Sequence, residues 1–447
     1  MKFIILKTFI FILYMIKRIL LFKWDSFFML YFKYNLKIYF YKLRQFIKKH
    51  SSLISLIFII LLSLPIRLWK LTTYPPVIVD EPAYLRDIEN LLTYKTSVFN
   101  PQWDFSQSFL MYLPIIALLK LGVSDGILAI RLISVIYSIF ALIPLFFIIK
   151  KYTNNLVAFC STLIFSFSYY YLQFSRVGWG VIYALTFGLY LMWFIQKAVE
   201  KKSKIYIVFC SIFTSLTFYT YRAGEVYILV GSIYFFIEIL LSQKQNKDKI
   251  FSILIYIILC FLLTIPWIKY IFNDWEKYNM RMNAVFIKNV ERPYHGLNKT
   301  SEIMLYQITT SIKAWVFLIP IDGGGGENQR YLPLVNHPVS GFLIPFFYIG
   351  IIYAIKNIRT MYPWFAIYII GIILGQCLTV NPPNGARALI FLPVIYIFSS
   401  LVFYSLYKKY ENFKFIALIF IILAFTLAIN DFMYYKYWMT WIKVWRE

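Results

Sequence analysis

Acidic side chains are scarce in this sequence. Its 447 residues hold 20 Asp and Glu against 45 Lys and Arg, and only 15% of residues are charged. Histidine occurs three times and cysteine four times. Three scattered histidines exclude a His-rich metal site. Cys160, Cys210, Cys260 and Cys377 lie inside apolar segments without ligand spacing, so they read as packing residues. No polar stretch is long enough for a separate soluble domain, and no internal repeat is visible. The basic start lacks a small-residue cleavage site, so it does not read as a cleavable leader.

Apolar residues fill the space that charge leaves. The chain is 61% hydrophobic and 21% aromatic, with a mean hydropathy of +0.68. A soluble domain holds roughly 45–50% apolar residues, so the class is an integral membrane protein. Barrel strands would alternate apolar and polar residues over roughly 10 positions. The runs here are continuous, as spanning helices require. They fall at about 52–69, 127–149, 156–173, 178–196, 205–220, 226–242, 251–268, 341–355, 362–378, 388–405 and 415–430. The expected fold is therefore all-α, a polytopic helical bundle of eleven spans, with surface helices in the first outer loop. Most of the aromatics read as lipid-facing or interfacial.

The formal net charge of +25 gives no footing for nucleic acid, because the cations sit in short loops between apolar runs. Five of those loops, at 150–155, 197–204, 243–249, 356–360 and 408–414, fall on one side and hold fourteen Lys and Arg against three acids. The positive-inside rule makes that side the cytoplasm. The other side receives 79–84, 174–180, 220–225, the long loop 269–340 and 381–387. This assignment requires that the run 108–121 does not span; fourteen residues with Pro114 among them are too few, so a helix along the outer face is expected. Residues 1–50 carry eleven Lys and Arg against Asp25 alone. They read as a basic amphipathic extension on the cytoplasmic face, held by anionic lipid, with a span at 3–22 as the alternative. Residues 51–430 then form the membrane domain and 431–447 a short tail.

The outer loops hold the chemistry. In "PPVIVDEPAY" (75–84), Asp80 and Glu81 stand side by side after the first span. Pro82 biases Glu81 toward extended geometry, and "AYLRDIENLL" then has helical spacing. Acids at a helix start gain about 0.3–1 kcal/mol from the dipole, which is the bland reading; a carboxylate at a membrane face can also act as a general base. Arg176, Arg222 and Arg387 fall at outer ends of spans, and Arg330 in the long loop. Arginine grips phosphate through a two-pronged fork and keeps its charge near lipid, though any one of them could simply snorkel. "DGGGGENQR" (322–330) has neither the spacing of a nucleotide-phosphate loop nor a preceding strand, and reads as a flexible outer loop. Glu276, Glu291 and Glu302 show no ligand spacing.

The acid pair, in the form DE-x-x-Y with Tyr84, resembles the first outer loop of the GT-C membrane glycosyltransferases, in the branch of protein O-mannosyltransferases and the aminoarabinose transferase of lipid A. Five further segments are similar in the same order. They are "LGVSDGILAIRLISVIYSIFAL" (121–142), which carries Arg131, and "YYLQFSRVGWG" (170–180), which carries Arg176. "LTFYTYRAGEVYILV" (216–230) holds Tyr221 and Arg222, and the segments at 323–351 and "NPPNGARALIFLPVIYIF" (381–398) complete the set. The resemblance covers about residues 52–405. It implies an inverting transferase that moves a sugar from a polyprenyl-phosphate donor to an acceptor hydroxyl or amine on a protein, lipid or glycan, at the extracytoplasmic face of the cell membrane. It makes Asp80 and Glu81 the catalytic pair, Arg176, Arg222, Arg387 and Arg330 the donor-phosphate ligands, and Tyr84, Arg131 and Tyr221 further candidates. Some relatives use a divalent cation; no paired-acid motif stands in a matching position here, so no metal ligand is assigned. The competing reading is a multispan transporter or lipid flippase. It expects inverted repeats and charges near the midplane, whereas most charges here lie at span ends. A cell-envelope scaffold would need no acid pair.

Overall fold

The computed structural model describes residues 26–78, 80–93, 112–242, 245–319, 339–413 and 415–444. The chain divides into two units, Met1–Ser55 and Leu56–Glu447. In the first, the chain is helical from Ser26 onward; residues 3–22 lie outside the described residues. The second unit holds the bundle.

Among the described residues there are seventeen α-helices and no extended strand. The first is α1 (Ser26–Leu68); α2 (Asp80–Leu92) and α3 (Leu113–Lys120) follow in the first long loop. Next come α4 (Gly126–Tyr152), α5 (Asn155–Phe167), α6 (Tyr169–Arg176), α7 (Val181–Lys201), α8 (Lys204–Phe218), α9 (Glu225–Leu241) and α10 (Asn246–Asn273). The second long loop carries α11 (Trp275–Val285) and α12 (Thr300–Ser311). The chain ends with α13 (Leu343–Lys356), α14 (Ile358–Ile372), the single turn α15 (Gly385–Ala388), α16 (Leu392–Lys409) and α17 (Ile416–Val444).

Each of the eleven apolar runs is helical, and the protein is an all-α polytopic membrane protein. By length and composition, seven helices among the described residues can cross a bilayer alone. The run 156–173 is not one straight span: α5 and α6 meet at a 60° bend. Ser168 leaves the helical region (φ −57°, ψ 133°) and its hydroxyl accepts from the Tyr171 N–H, capping α6. Counted as one bent span, the pair is the eighth; α8 and α13 are apolar but shorter. At eight residues and about 1.5 Å of rise each, α3 by itself is too short to cross; the first part of the run 108–121 lies outside the described residues. The stretch from 431, expected as a tail, continues α17 to Val444, with Asp431 and Tyr435 each only 1% exposed. Glu81 is helical rather than extended. Pro82 sits in the first turn of α2, where backbone N–H groups have no intrahelical partner to lose.

Burial sorts the helices. Of the apolar window in α7, 72% is buried, against 22% in α10, whose Ile257, Ile258, Phe261 and Leu262 face outward; α7 is therefore central and α10 lipid-facing. Close approach needs small residues: a Cβ on Gly350 of α13 would lie 2.2 Å from the Phe398 carbonyl oxygen of α16.

Candidate active site

The two acids that open α2 have different surroundings. Glu81 is fully buried, whereas Asp80 is half-buried. A carboxylate without water must find charge and hydrogen bonds inside the protein, and Glu81 finds four. Arg131 donates from Nε to Oε1 and from Nη2 to Oε2, both at 2.7 Å. The Gly178 N–H donates to Oε1 at 2.8 Å and the Ile78 N–H to Oε2 at 2.9 Å. Arg131 spends its remaining donors on the segment that leads to α2: Nη1 reaches the Leu71 and Pro75 carbonyls at 2.8 and 2.7 Å, and Nη2 the Pro76 carbonyl at 3.2 Å. It stands near the start of α4, which is capped by the Asp125 carboxylate accepting from the Leu128 N–H at 3.1 Å. One fork thus ties the 71–76 segment, the first turn of α2 and α4 into a single unit.

Arg176, at the end of α6, grips the same segment from the other side. It is 1% exposed and donates to the Trp69 carbonyl and to the Tyr74 carbonyl, the latter at 2.7 Å. The Tyr435 ring lies 5.7 Å from its guanidinium carbon. Glycine is required next to it. A Cβ on Gly178 would lie 1.9 Å from Ile130 Cγ2 and 3.2 Å from Glu81 Oε1. Gly178→Ala is therefore expected to lower the thermal unfolding temperature of the detergent-solubilised protein, with an overpacking cost of about 1–3 kcal/mol. An unchanged melt would mean that this junction is loose.

Rings join these elements to the other loops. Tyr170 and Phe174 of α6 stand 5.4 Å apart, Phe174 and Trp179 5.9 Å, and Trp179 and Tyr221 6.1 Å. Next to Tyr221, half-buried Arg222 lies 3.9 Å above the Tyr278 ring and donates to the Tyr278 carbonyl. The Tyr278 hydroxyl meets Glu225 at 3.4 Å; burial, then the Glu225 carboxylate, push it up to about 12, so it stays a neutral donor. From the other end of the ladder, Tyr170 bonds the Gly385 carbonyl of α15 and meets the Trp315 ring at 6.2 Å. Two residues on, half-buried Arg387 donates to the Val380 carbonyl at 3.1 Å, and its own N–H is capped by Asn384. The Tyr294 hydroxyl links Gln307 of α12 to Asn381 in the same loop.

Asp80, Glu81, Arg176, Arg222 and Arg387 thus belong to one connected end of the bundle. Tyr84 is buried, its ring 5.4 Å from that of Tyr112, and the Tyr112 hydroxyl reaches Asp87 at 3.4 Å. Burial, with Tyr84 and Asp87 adding to it, raises that hydroxyl well above its ordinary value. Arg330 lies outside the described residues.

Sequence reasoning passed over Arg67, which stood at the end of an apolar run like any snorkelling cation. It is fully buried. It donates to Ser138 Oγ at 3.1 Å and to the Ser166 and Ser63 carbonyls at 2.9 and 3.3 Å, with the Tyr171 ring 5.5 Å away. The polar residues Ser134, Ser138, Ser166, Ser168 and Gln173 on the facing helices were the available signal. Among the described residues no group of three or more His, Cys, Asp or Glu side chains is placed to hold a metal ion.

No protein-family model matches the chain, and no curated protein matches it by sequence. Among solved structures it is similar to the oligosaccharyltransferase of Archaeoglobus fulgidus. One crystal structure of that protein, in complex with Zn and sulfate, matches with a TM-score of 0.50 at 15% identity, over 86% of this chain and 53% of that one. A second, tethered through a disulfide bond to an acceptor peptide containing the NVT sequon, matches with a TM-score of 0.52 at 15% identity, over 88% and 56%. This chain therefore spans about half the length of the structures it matches, and what the likeness establishes is the fold alone, a helical membrane bundle like that of the oligosaccharyltransferase.

Proposed function

We propose that the chain is an inverting membrane glycosyltransferase. It takes a sugar from a polyprenyl-phosphate donor and passes it to an acceptor hydroxyl or amine on a protein, lipid or glycan at the outer face of the membrane. The observation that carries this reading is the division of labour in the first turn of α2. Glu81 spends its accepting positions on Arg131, Gly178 and Ile78, and its neighbour Asp80 is held on that fixed turn, half-buried.

In the proposed step the Asp80 carboxylate takes the proton of the acceptor. The acceptor oxygen or nitrogen attacks the anomeric carbon, and the anomeric C–O bond to phosphate breaks with inversion. The lipid phosphate leaves with the electron pair. Such a leaving group needs no acid, so the protein supplies a base, alignment and positive charge near the departing oxygens. Arg222 and Arg387, both half-buried at this end, are assigned to the phosphate together with Arg330. Arg131, which joins the Glu81 carboxylate to the Leu71, Pro75 and Pro76 carbonyls, and Arg176, which donates to the Trp69 and Tyr74 carbonyls, are assigned to holding the 69–76 segment, and Tyr84 and Tyr221 to the walls around the acid and the arginines. No step is routed through a metal ion.

Replacing Arg222 by Gln is expected to raise the KM for the lipid donor about tenfold, the worth of one charge-assisted hydrogen bond, with a smaller change in kcat. An unchanged KM would remove Arg222 from the donor site. The reading itself is tested by mass spectrometry of envelope glycoproteins and glycolipids from cells with and without the gene. A glycan shortened by one transferred unit, and restored by the wild-type chain, is expected; identical spectra would count against it.

A further inference from the structure

The end of the bundle away from Asp80 holds a cavity of about 550 Å³ between the ends of α4, α13, α14 and α16. Nothing in the proposed transfer uses it. Its floor is apolar, with Met361 and Leu401 buried. Its walls are polar and already fixed. The Tyr152 hydroxyl accepts from Gln196 Nε2 at 2.9 Å and from Trp364 Nε1 at 3.2 Å, and donates to the Thr360 carbonyl at 3.4 Å. The hydroxyls of Tyr353 and Ser405 bond each other across the α13–α16 seam at 2.8 Å. Walls set before a ligand arrives cost little ordering when it binds.

Lys408 and Lys409 stand at the lining, both exposed. Among the described residues neither forms an ion pair, whereas Lys151 on neighbouring α4 is paired with Glu200 at 3.3 Å. The same helices also present apolar surface outward: Ile352 and Ile355 of α13 are 55% and 57% exposed, and Leu406 of α16 is 37% exposed. A cavity with an apolar floor, hydroxyls in its walls and two cations outside any ion pair at its lining matches an amphiphile with an anionic head. Here a phosphodiester can bridge the two ammonium groups while its acyl chains lie along α13.

We propose that this cavity binds the phosphate headgroup of an anionic phospholipid from the leaflet opposite the transfer site. The cavity takes the head, Lys408 and Lys409 neutralise the phosphate, and Ile352, Ile355 and Leu406 take the chains. This site stands apart from the proposed transfer, and its test needs no activity.

The test is native mass spectrometry of the full chain released from bilayer nanodiscs of phosphatidylglycerol or of phosphatidylcholine. Three proteins are compared: wild type, the double variant Lys408→Gln/Lys409→Gln, and a charge-matched control, Lys201→Gln/Lys202→Gln, at the same end of the bundle. Wild type and the control should retain one phosphatidylglycerol about thirtyfold more often than phosphatidylcholine, the effect of two basic side chains near anionic lipid. The Lys408/Lys409 variant should lose that preference while melting as wild type does. Glycerol phosphate in excess should not displace the lipid. Three results would overturn the proposal: no preference in wild type, an equal loss in the control, or displacement by glycerol phosphate, which would make the site one for a soluble phosphate ester.

Discussion

Asp80→Asn is expected to slow sugar transfer by about 10²–10⁴-fold, the range that a positioned general base supplies, while leaving the amount and thermal stability of the protein unchanged. Asparagine has the shape of aspartate and can still accept a hydrogen bond, but it cannot take the acceptor's proton. Asp80 is also only half-buried, so a neutral side chain of the same shape fits its place. Transfer is followed by mass spectrometry of the acceptor in cells whose only copy is the variant. Full transfer by a normally expressed Asp80→Asn protein would remove Asp80 as the base.

The neighbouring substitution should act by a different route. Glu81→Gln keeps the shape but removes the only carboxylate that forms an ion pair with Arg131 among the described residues, at a site where both side chains are fully buried. Breaking a buried pair from one side costs about 3–5 kcal/mol, because the other charge is left uncompensated. The loss should appear as a large drop in melting temperature and in yield from the membrane, together with loss of transfer. Replacing both partners, as Glu81→Leu with Arg131→Met, should recover much of the stability, since no lone charge remains, but not the transfer: Arg131 no longer holds the carbonyls of Leu71, Pro75 and Pro76. Stability without activity in the double variant would separate the positioning role of the pair from its structural one. A Glu81→Gln protein that melts like wild type would mean that the ion pair contributes nothing.

Much of this architecture was legible in the sequence because the bilayer imposes a length on every crossing element. The eleven apolar runs are all helical for that reason. What the sequence hid were places where packing overrides pattern. The break at Ser168 lies inside an unbroken apolar-aromatic run, and only the serine marks the new cap. The continuation of α17 past residue 430 looked like a tail because its hydropathy falls, yet Asp431 and Tyr435 are buried against other helices. At the site, the sequence brought the acids and arginines to one end but could not rank them. Asp80 and Glu81 are adjacent and identical in charge, and only tertiary contacts distinguish the half-buried one from the one that is fully bonded. Arg176 and Arg222 read as arginines at span ends, and Arg131 only as one carried by the segment 121–142. Their difference lies in what each meets: Arg131 meets a carboxylate, Arg176 backbone carbonyls, and Arg222 the face of Tyr278. Arg67 itself stood only at the end of a span; the signal for its burial lay in serines far along the chain, whose hydroxyl and carbonyl groups receive its donors.

The most direct test reconstitutes the purified chain in nanodiscs with polyprenyl-phosphate-linked sugars extracted from its native membranes, and follows the release of free polyprenyl phosphate. The account predicts release by the wild-type chain, matched by sugar on an acceptor, and none by Asp80→Asn. Donor left intact by the wild-type chain, or moved across the bilayer with its sugar still attached, would contradict it.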